Sequence, residues 1–145
     1  MSVVIDASVF VAAARASEPQ YARSVEFLSR IQQSGEATYS PVLVLAECSG
    51  AIARATGDGG LADRAVALIQ RFRGLQLVPL TLAVALRAAE FAAKRRLRGS
   101  DAIYVAVASE LQAMLVTWDI EMLQRSGPAT STLTPQQWLD KYTTR

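Results

Sequence analysis

The 145-residue chain contains no histidine and one cysteine, Cys48. The missing histidine excludes Ser-His-Asp and Cys-His catalysis, and with them zinc sites that use His ligands. Lysine occurs only at positions 94 and 141, and neither follows a serine by three residues. A Ser-x-x-Lys nucleophile is therefore excluded too. A lone cysteine can form no internal disulfide, so a reducing cytoplasm is the expected compartment. No apolar run approaches the ~20 residues of a membrane span. The stretch "FVAAARA" offers the small residues of a signal peptide, but no positive charge precedes it and Asp6 interrupts the apolar run, so no such peptide is expected. Catalysis, if present, must rest on carboxylates, hydroxyls and arginines. Carboxylate oxygens suit hard cations such as Mg²⁺ or Mn²⁺.

What is present describes a folded chain. Hydrophobic residues make up 51% of it, which argues against disorder. The length suits one domain, residues 1–145, around one core. The net charge of +2 is carried almost wholly by arginine on the basic side. It is compatible with a nucleic-acid partner without requiring one.

Periodicity and punctuation predict alternating strands and helices. Val3–Ile5 reads as a short buried strand, followed by a helix from about Ser8. Ser17, Pro19 and Gln20 mark the start of a second helix, which Gly35 stops. A weak strand at 37–39 precedes a helix expected from Ser40-Pro41 to Thr56. "GDGG" at 57–60 reads as a loop, with a helix over 61–72 beyond it. A strand over 75–78, a helix over 81–97, a helix over 100–112 and a strand over 114–117 follow. A short helix spans 119–124, residues 126–134 hold at most an edge strand, and Pro135 begins the last helix. This alternation predicts an α/β fold, with a central parallel sheet of four to five strands flanked by helices on both faces.

Four carboxylates stand out against this background. Asp6 ends the apolar strand "VVID", and Asp119 ends "MLVTWD" in the same way; taken singly, each is explained as a helix N-cap. Glu47 lies in "PVLVLAECSGAIA", a helix without a polar face. An unpaired buried carboxylate there costs several kcal/mol, on the order of the penalty for a buried ion. An ion pair with Arg54 or an opening to solvent would relieve it. Asp101 opens the apolar helix "GSDAIYVAVAS", where the helix dipole favours it. Ligands of parallel α/β sheets collect at the carboxyl ends of the strands, and all four acids are placed to reach that edge. Unneutralised they would repel one another; a divalent cation removes the difficulty. Cys48, Phe91 and Tyr104 are expected in the core.

In these residues the chain resembles the PIN-domain ribonucleases, in particular the VapC-type toxins of toxin–antitoxin pairs. The resemblance spans essentially the whole chain and rests on "IDAS" at Asp6, "LAEC" at Glu47, "GSDAIYVAVA" at Asp101 and "VTWD" at Asp119. Ser8 and Thr117 fall at the hydroxyl positions that accompany the first and last acids. Where many relatives carry Asn this chain has Ser8, and Trp118 occupies a variable position to which no role is assigned. The resemblance implies a single PIN-like domain and Mg²⁺- or Mn²⁺-dependent hydrolysis of RNA, with Asp6, Glu47, Asp101 and Asp119 as the catalytic set. It implies metal ligation by Asp6, Asp101 and Asp119, with the last at a second or water-mediated contact, and Ser8 and Thr117 in support. Glu47 would orient water or complete the metal shell. A cognate antitoxin and a homodimer are implied as partners.

"KRRLR" at 94–98 precedes Asp101. Arg95, Arg96 and Arg98, together with Arg15, are candidates for contact with RNA phosphates, the alternative being a solvated helix end. A haloacid-dehalogenase-like phosphatase would want a second Asp where Ser8 stands, and a receiver-like domain would want a Lys that is absent. A non-catalytic PIN-fold module binding RNA or protein, and a related DNA nuclease, remain as alternatives.

Overall fold

The computed structural model describes residues 1–142. Residues 143–145, the end of the expected domain, lie outside the described part. Five strands form one sheet: β1 (Val3–Ile5), β2 (Thr38–Pro41), β3 (Leu75–Val78), β4 (Met114–Val116) and β5 (Thr132–Leu133). Their order is β3-β2-β1-β4-β5 and every pairing is parallel. The helices among the described residues are α1 (Ala7–Ala14), α2 (Tyr21–Ser34), α3 (Val44–Thr56), α4 (Gly59–Gln70), α5 (Leu82–Arg95), α6 (Gly99–Glu110), α7 (Ile120–Arg125) and α8 (Pro135–Tyr142). The α/β architecture and the number of strands agree with the expectation from sequence.

The strand order explains where a site can lie. The chain steps from β1 outward to β2 and β3, then returns to the other side of β1 for β4 and β5. The two central strands therefore diverge in connectivity. With right-handed crossovers, the helices leaving them pass to opposite faces, and a crevice opens at their carboxyl ends. β1 and β4 are wholly buried, as their unbroken apolar sequences require. The core joins them to Phe27 and Ile31 of α2, Val44 and Cys48 of α3, and the apolar face of α6. Phe91 is part of the same cluster.

Several boundaries differ from the periodicity reading, each for a local reason. β2 extends through Pro41, so α3 begins at Val44 rather than at Ser40. Ser40 is claimed by the sheet, where its hydroxyl donates to the Ile5 carbonyl at 2.7 Å. α2 begins at Tyr21 without a side-chain cap from Gln20. The residues ahead of it form turns closed by the Glu18 amide on the Arg15 carbonyl and by an Arg15–Glu18 ion pair. Part of "GDGG" is helical: Asp58 caps α4 by accepting from the Leu61 amide at 3.0 Å, so Gly59 and Gly60 form the first turn. α5 stops at Arg95 because Arg96 takes a left-handed φ of 54°, and the reversal buries Leu97.

Candidate functional site

The register of β1 against β4 builds the floor of the crevice. Ile5 pairs with Val116, so the next residues, Asp6 and Thr117, are neighbours across the two strands. The Thr117 hydroxyl donates to Asp6 Oδ2 at 2.9 Å and accepts from the Asp119 amide at 2.9 Å. Ser8 Oγ lies 3.3 Å from Thr117 Oγ1 and accepts from the Trp118 amide at 3.0 Å. The two hydroxyls therefore lock the β1–α1 turn to the β4–α7 turn.

Both strand-end aspartates cap helices. Asp6 Oδ2 accepts from the Ser8 amide at 3.2 Å, and Asp119 Oδ1 accepts from the Met122 amide at 2.9 Å. Capping is thus one role of each. Asp6 is 5% exposed and has no cation paired to it among the described residues. Burial holds its carboxyl above the usual range, hydrogen bonds from Ser8 and Thr117 pull it down, and the charge of Asp119 raises it.

The other two acids enter from first turns of helices, Glu47 on α3 and Asp101 on α6. α3 follows β2, and α6 packs across β1, β2 and β4. Glu47 is also raised, first by burial; the hydroxyls of Tyr104 and Ser100 oppose the shift, and the charge of Asp6 adds to it. Asp101 is pushed up to about 7 by burial and by the charges of Asp119, Asp6 and Glu47, against which Arg98 acts weakly. The four expected acids therefore share one electrostatic environment. Glu47 Oε1, Asp101 Oδ2 and the Tyr104 hydroxyl are buried polar atoms without a hydrogen-bond partner. Tyr104 lies close enough to Glu47 to influence its charge, although its hydroxyl makes no hydrogen bond.

An all-oxygen donor set with unpartnered buried oxygens fits a hard divalent cation in kind. Among the described residues no group of three or more His, Cys, Asp or Glu is arranged to hold a metal ion.

The expected basic residues are dispersed. Arg98 is the N-cap residue of α6, and its charge is felt by Asp101. Arg95 donates to the Gly127 carbonyl, Arg15 pairs with Glu18, and Arg96 ends α5 with its carbonyl taken by Arg125. The Glu47–Arg54 ion pair does not form among the described residues. Glu47 opens instead onto a groove of about 450 Å³ between α1 and α3.

Three participants escape a sequence reading. Tyr104 is buried as expected, but its hydroxyl faces the acids rather than the apolar core. Its position one helical turn after Asp101 was an available signal. Ser100 near Glu47, and Trp118, whose indole N–H donates to Ser24 Oγ at 2.8 Å, carried none. Cys48 is fully buried, its thiol pushed up by burial, and it is inert core as expected.

The comparisons with known proteins agree with this fold. VapC20 of Mycobacterium tuberculosis, described as a Sarcin-Ricin loop cleaving toxin, superposes with a TM-score of 0.67 at 20% identity, over 81% of this chain and 90% of that one. The PAE2754 protein of Pyrobaculum aerophilum gives 0.71 at 19% identity, over 100% and 97%. VapBC2 of Rickettsia felis, solved on a DNA fragment of its promoter, gives 0.68 at 15%, over 92% and 98%. No curated protein matches the sequence. The family model of the PIN domain matches residues 3–127, and the chain belongs to the PIN domain family.

Proposed function

We propose that this chain is a Mg²⁺- or Mn²⁺-dependent endoribonuclease and the toxin of a toxin–antitoxin pair. The observation that carries the reading is the convergence of Asp6, Glu47, Asp101 and Asp119 at the β1/β4 crevice, with buried oxygens on Glu47 and Asp101 left unpartnered. Asp6 and Asp101 would hold the cation directly, and Asp119 directly or through water. A divalent cation held by these acids would neutralise their charge and supply Lewis-acid activation of the phosphodiester and of the attacking water. Ser8 and Thr117 fix the orientation of Asp6. Glu47 orients the attacking water or completes the metal shell, and Tyr104 limits where its carboxylate can turn. Arg98 is the basic residue best placed to approach a substrate phosphate beside Asp101.

An antitoxin partner and a homodimer belong to the same proposal. VapBC2 of Rickettsia felis is bound to a DNA fragment from its promoter, a VapBC of Salmonella typhimurium is bound to DNA, and a structural neighbour from Klebsiella pneumoniae is a toxin–antitoxin complex. This chain offers two apolar surfaces for partners. One is a small groove at Phe10, Leu28, Ile69 and Phe72 rimmed by exposed Leu68. The other is the exposed Leu80, Leu82 and Leu86 at the start of α5. No helix among the described residues is long and apolar enough to cross a membrane.

Purified protein, freed of contaminating ribonuclease, is expected to cleave RNA with Mg²⁺ or Mn²⁺ and to stop in EDTA. Equal cleavage with and without chelator defeats the metal-dependent reading. Absence of cleavage under every metal, with RNA binding retained, favours a non-catalytic module.

A further inference from the structure

The groove beside Glu47 contains a charge that the four-acid account does not use. Its polar lining is Ser8 of α1 and Glu47 and Arg54 of α3; the rest is alanine and Val11. Glu47, Gly50 and Arg54 are spaced by three and four residues and so share one face of α3. Arg54 makes no ion pair among the described residues, although it shares the groove with a carboxylate. Its guanidinium is folded back along the helix toward Glu47. A Cβ built on Gly50 would lie 3.0 Å from Arg54 Nη1 and 3.9 Å from Cζ. A side chain at position 50 would therefore press on the guanidinium, which would have to shift by a few tenths of an ångström for a methyl group and further for a larger one. The φ of Gly50 is not left-handed, so a backbone requirement does not explain glycine there.

We infer that Arg54 binds a backbone phosphate of the substrate strand next to the one held by the acids, and that Gly50 is the residue that lets it do so. This rests on the ribonuclease reading of the crevice and adds the direction in which the strand leaves it, along the α1–α3 groove. The chemistry is complementary. The acids require a cation and therefore approach the phosphodiester through it, whereas a free guanidinium offers a planar fork of donors that matches phosphate oxygens directly. Glu47 faces the acid cluster, which leaves Arg54 available to the solvent side of the same groove. The strand would thus be gripped on one side of the cleaved bond by Arg54, while Arg98 lies beside Asp101 at the crevice.

The test is the binding of a short fluorescein-labelled single-stranded RNA in EDTA, followed by anisotropy across a salt series. Arg54→Ala should weaken binding roughly tenfold, the worth of one charge-assisted contact. It should reduce the salt slope by ~0.7, the value for one phosphate contact on a single strand. Arg54→Lys should keep the slope and recover part of the affinity, because a point charge replaces the fork. Gly50→Ala should fold at least as well as wild type, since alanine favours helix, and should weaken binding by less than Arg54→Ala. The double variant should bind like Arg54→Ala alone. With Mg²⁺ present, Arg54→Ala should raise KM and leave kcat nearly intact. Wild-type affinity and slope in Arg54→Ala overturn the inference and leave the ribonuclease reading standing. Failure of the wild type to bind RNA overturns both. Undiminished RNA binding with loss of a co-purified protein partner makes Arg54 a partner contact and likewise overturns it. A Gly50→Ala effect that persists in the Arg54→Ala background shows that Gly50 acts by another route.

Discussion

The chain builds the same local device twice, at Asp6 and at Asp119, and the two copies end in different surroundings. Each is an inner parallel strand whose following aspartate caps a helix. In the first, the acid comes directly after the strand and is buried at 5% exposure. In the second, Thr117 and Trp118 intervene between β4 and Asp119. Thr117 takes the place across from Asp6, and Asp119 stands further out, half-buried. Two extra residues thus convert an acid-beside-acid contact on the sheet edge into an acid-beside-hydroxyl contact. Asp6 acquires a donor instead of a second carboxylate at hydrogen-bond distance, and the second carboxylate is held at the rim. On the proposed function a capping role and a metal-binding role coexist in one residue, and the surroundings distinguish the two copies.

The comparison is sharpened most by paired substitutions. Asn caps a helix about as well as Asp, so neither Asp6→Asn nor Asp119→Asn should unfold the protein. Asp6→Asn should nonetheless lower RNA cleavage on the order of a thousandfold, several kcal/mol of lost metal assistance. Asp119→Asn should lower it by roughly 10–100-fold, as expected of an indirect contact. Initial rates at matched thermal stability decide this, and equal effects would erase the distinction between the two copies.

Thr117→Val should have a smaller effect and act on both units together. It removes a donor to Asp6 and an acceptor for the Asp119 amide. The expected loss is about 1–3 kcal/mol, the cost of stranding buried polar groups, read as a drop in the denaturation midpoint. A neutral outcome would show that the two turns are not tied through this hydroxyl.

The smallest effect is on the pH dependence of stability, because solvent screens Glu47 and Asp101, which are half-buried. Asp6, Glu47 and Asp101 all have folded pKa values above their ordinary ones, Asp101 at about 7 against 3.8. Between those values the native state binds more protons than the unfolded state. Metal-free protein should therefore lose stability as pH rises from about 4 to about 7. Asp6→Asn and Asp101→Asn should flatten that decline. Asp119→Asn should flatten it less, since Asp119 enters through the charge it presents to Asp6 and Asp101. Urea denaturation across this range in EDTA measures it, and a rise in wild-type stability with pH would contradict the assignment.

These effects turn on features that sequence reveals unevenly. β1 and β4 were legible because parallel inner strands must be apolar throughout, and each of the four acids broke an apolar pattern. The α/β class followed from the alternation of elements, and the start of α8 from Pro135. The start of α3 was not legible: Ser40-Pro41 has the form of a helix start, and only the pairing of β2 with both neighbours shows that the sheet claims it. The break at Arg96 was hidden for a similar reason, because burial of Leu97 is a tertiary gain that periodicity does not register. Within the site, the Asp6–Thr117 contact depends on strand register. The guanidinium of Arg54 over Gly50 depends on a side-chain path that no local pattern encodes.

The central claim is that Asp6, Asp101 and Asp119 hold a divalent cation, and the melting temperature of wild type and Asp6→Asn, each with EDTA and with Mn²⁺, tests it without reference to activity. Removal of one carboxylate should relieve repulsion, so Asp6→Asn should melt at or above wild type in EDTA. Mn²⁺ at a hundredfold excess over Kd should stabilise the wild type by about 2.7 kcal/mol through mass action, and should do little for the variant. A variant that melts below wild type in EDTA and gains as much from Mn²⁺ would show that Asp6 is a structural cap and not a metal ligand, and would contradict the site assignment.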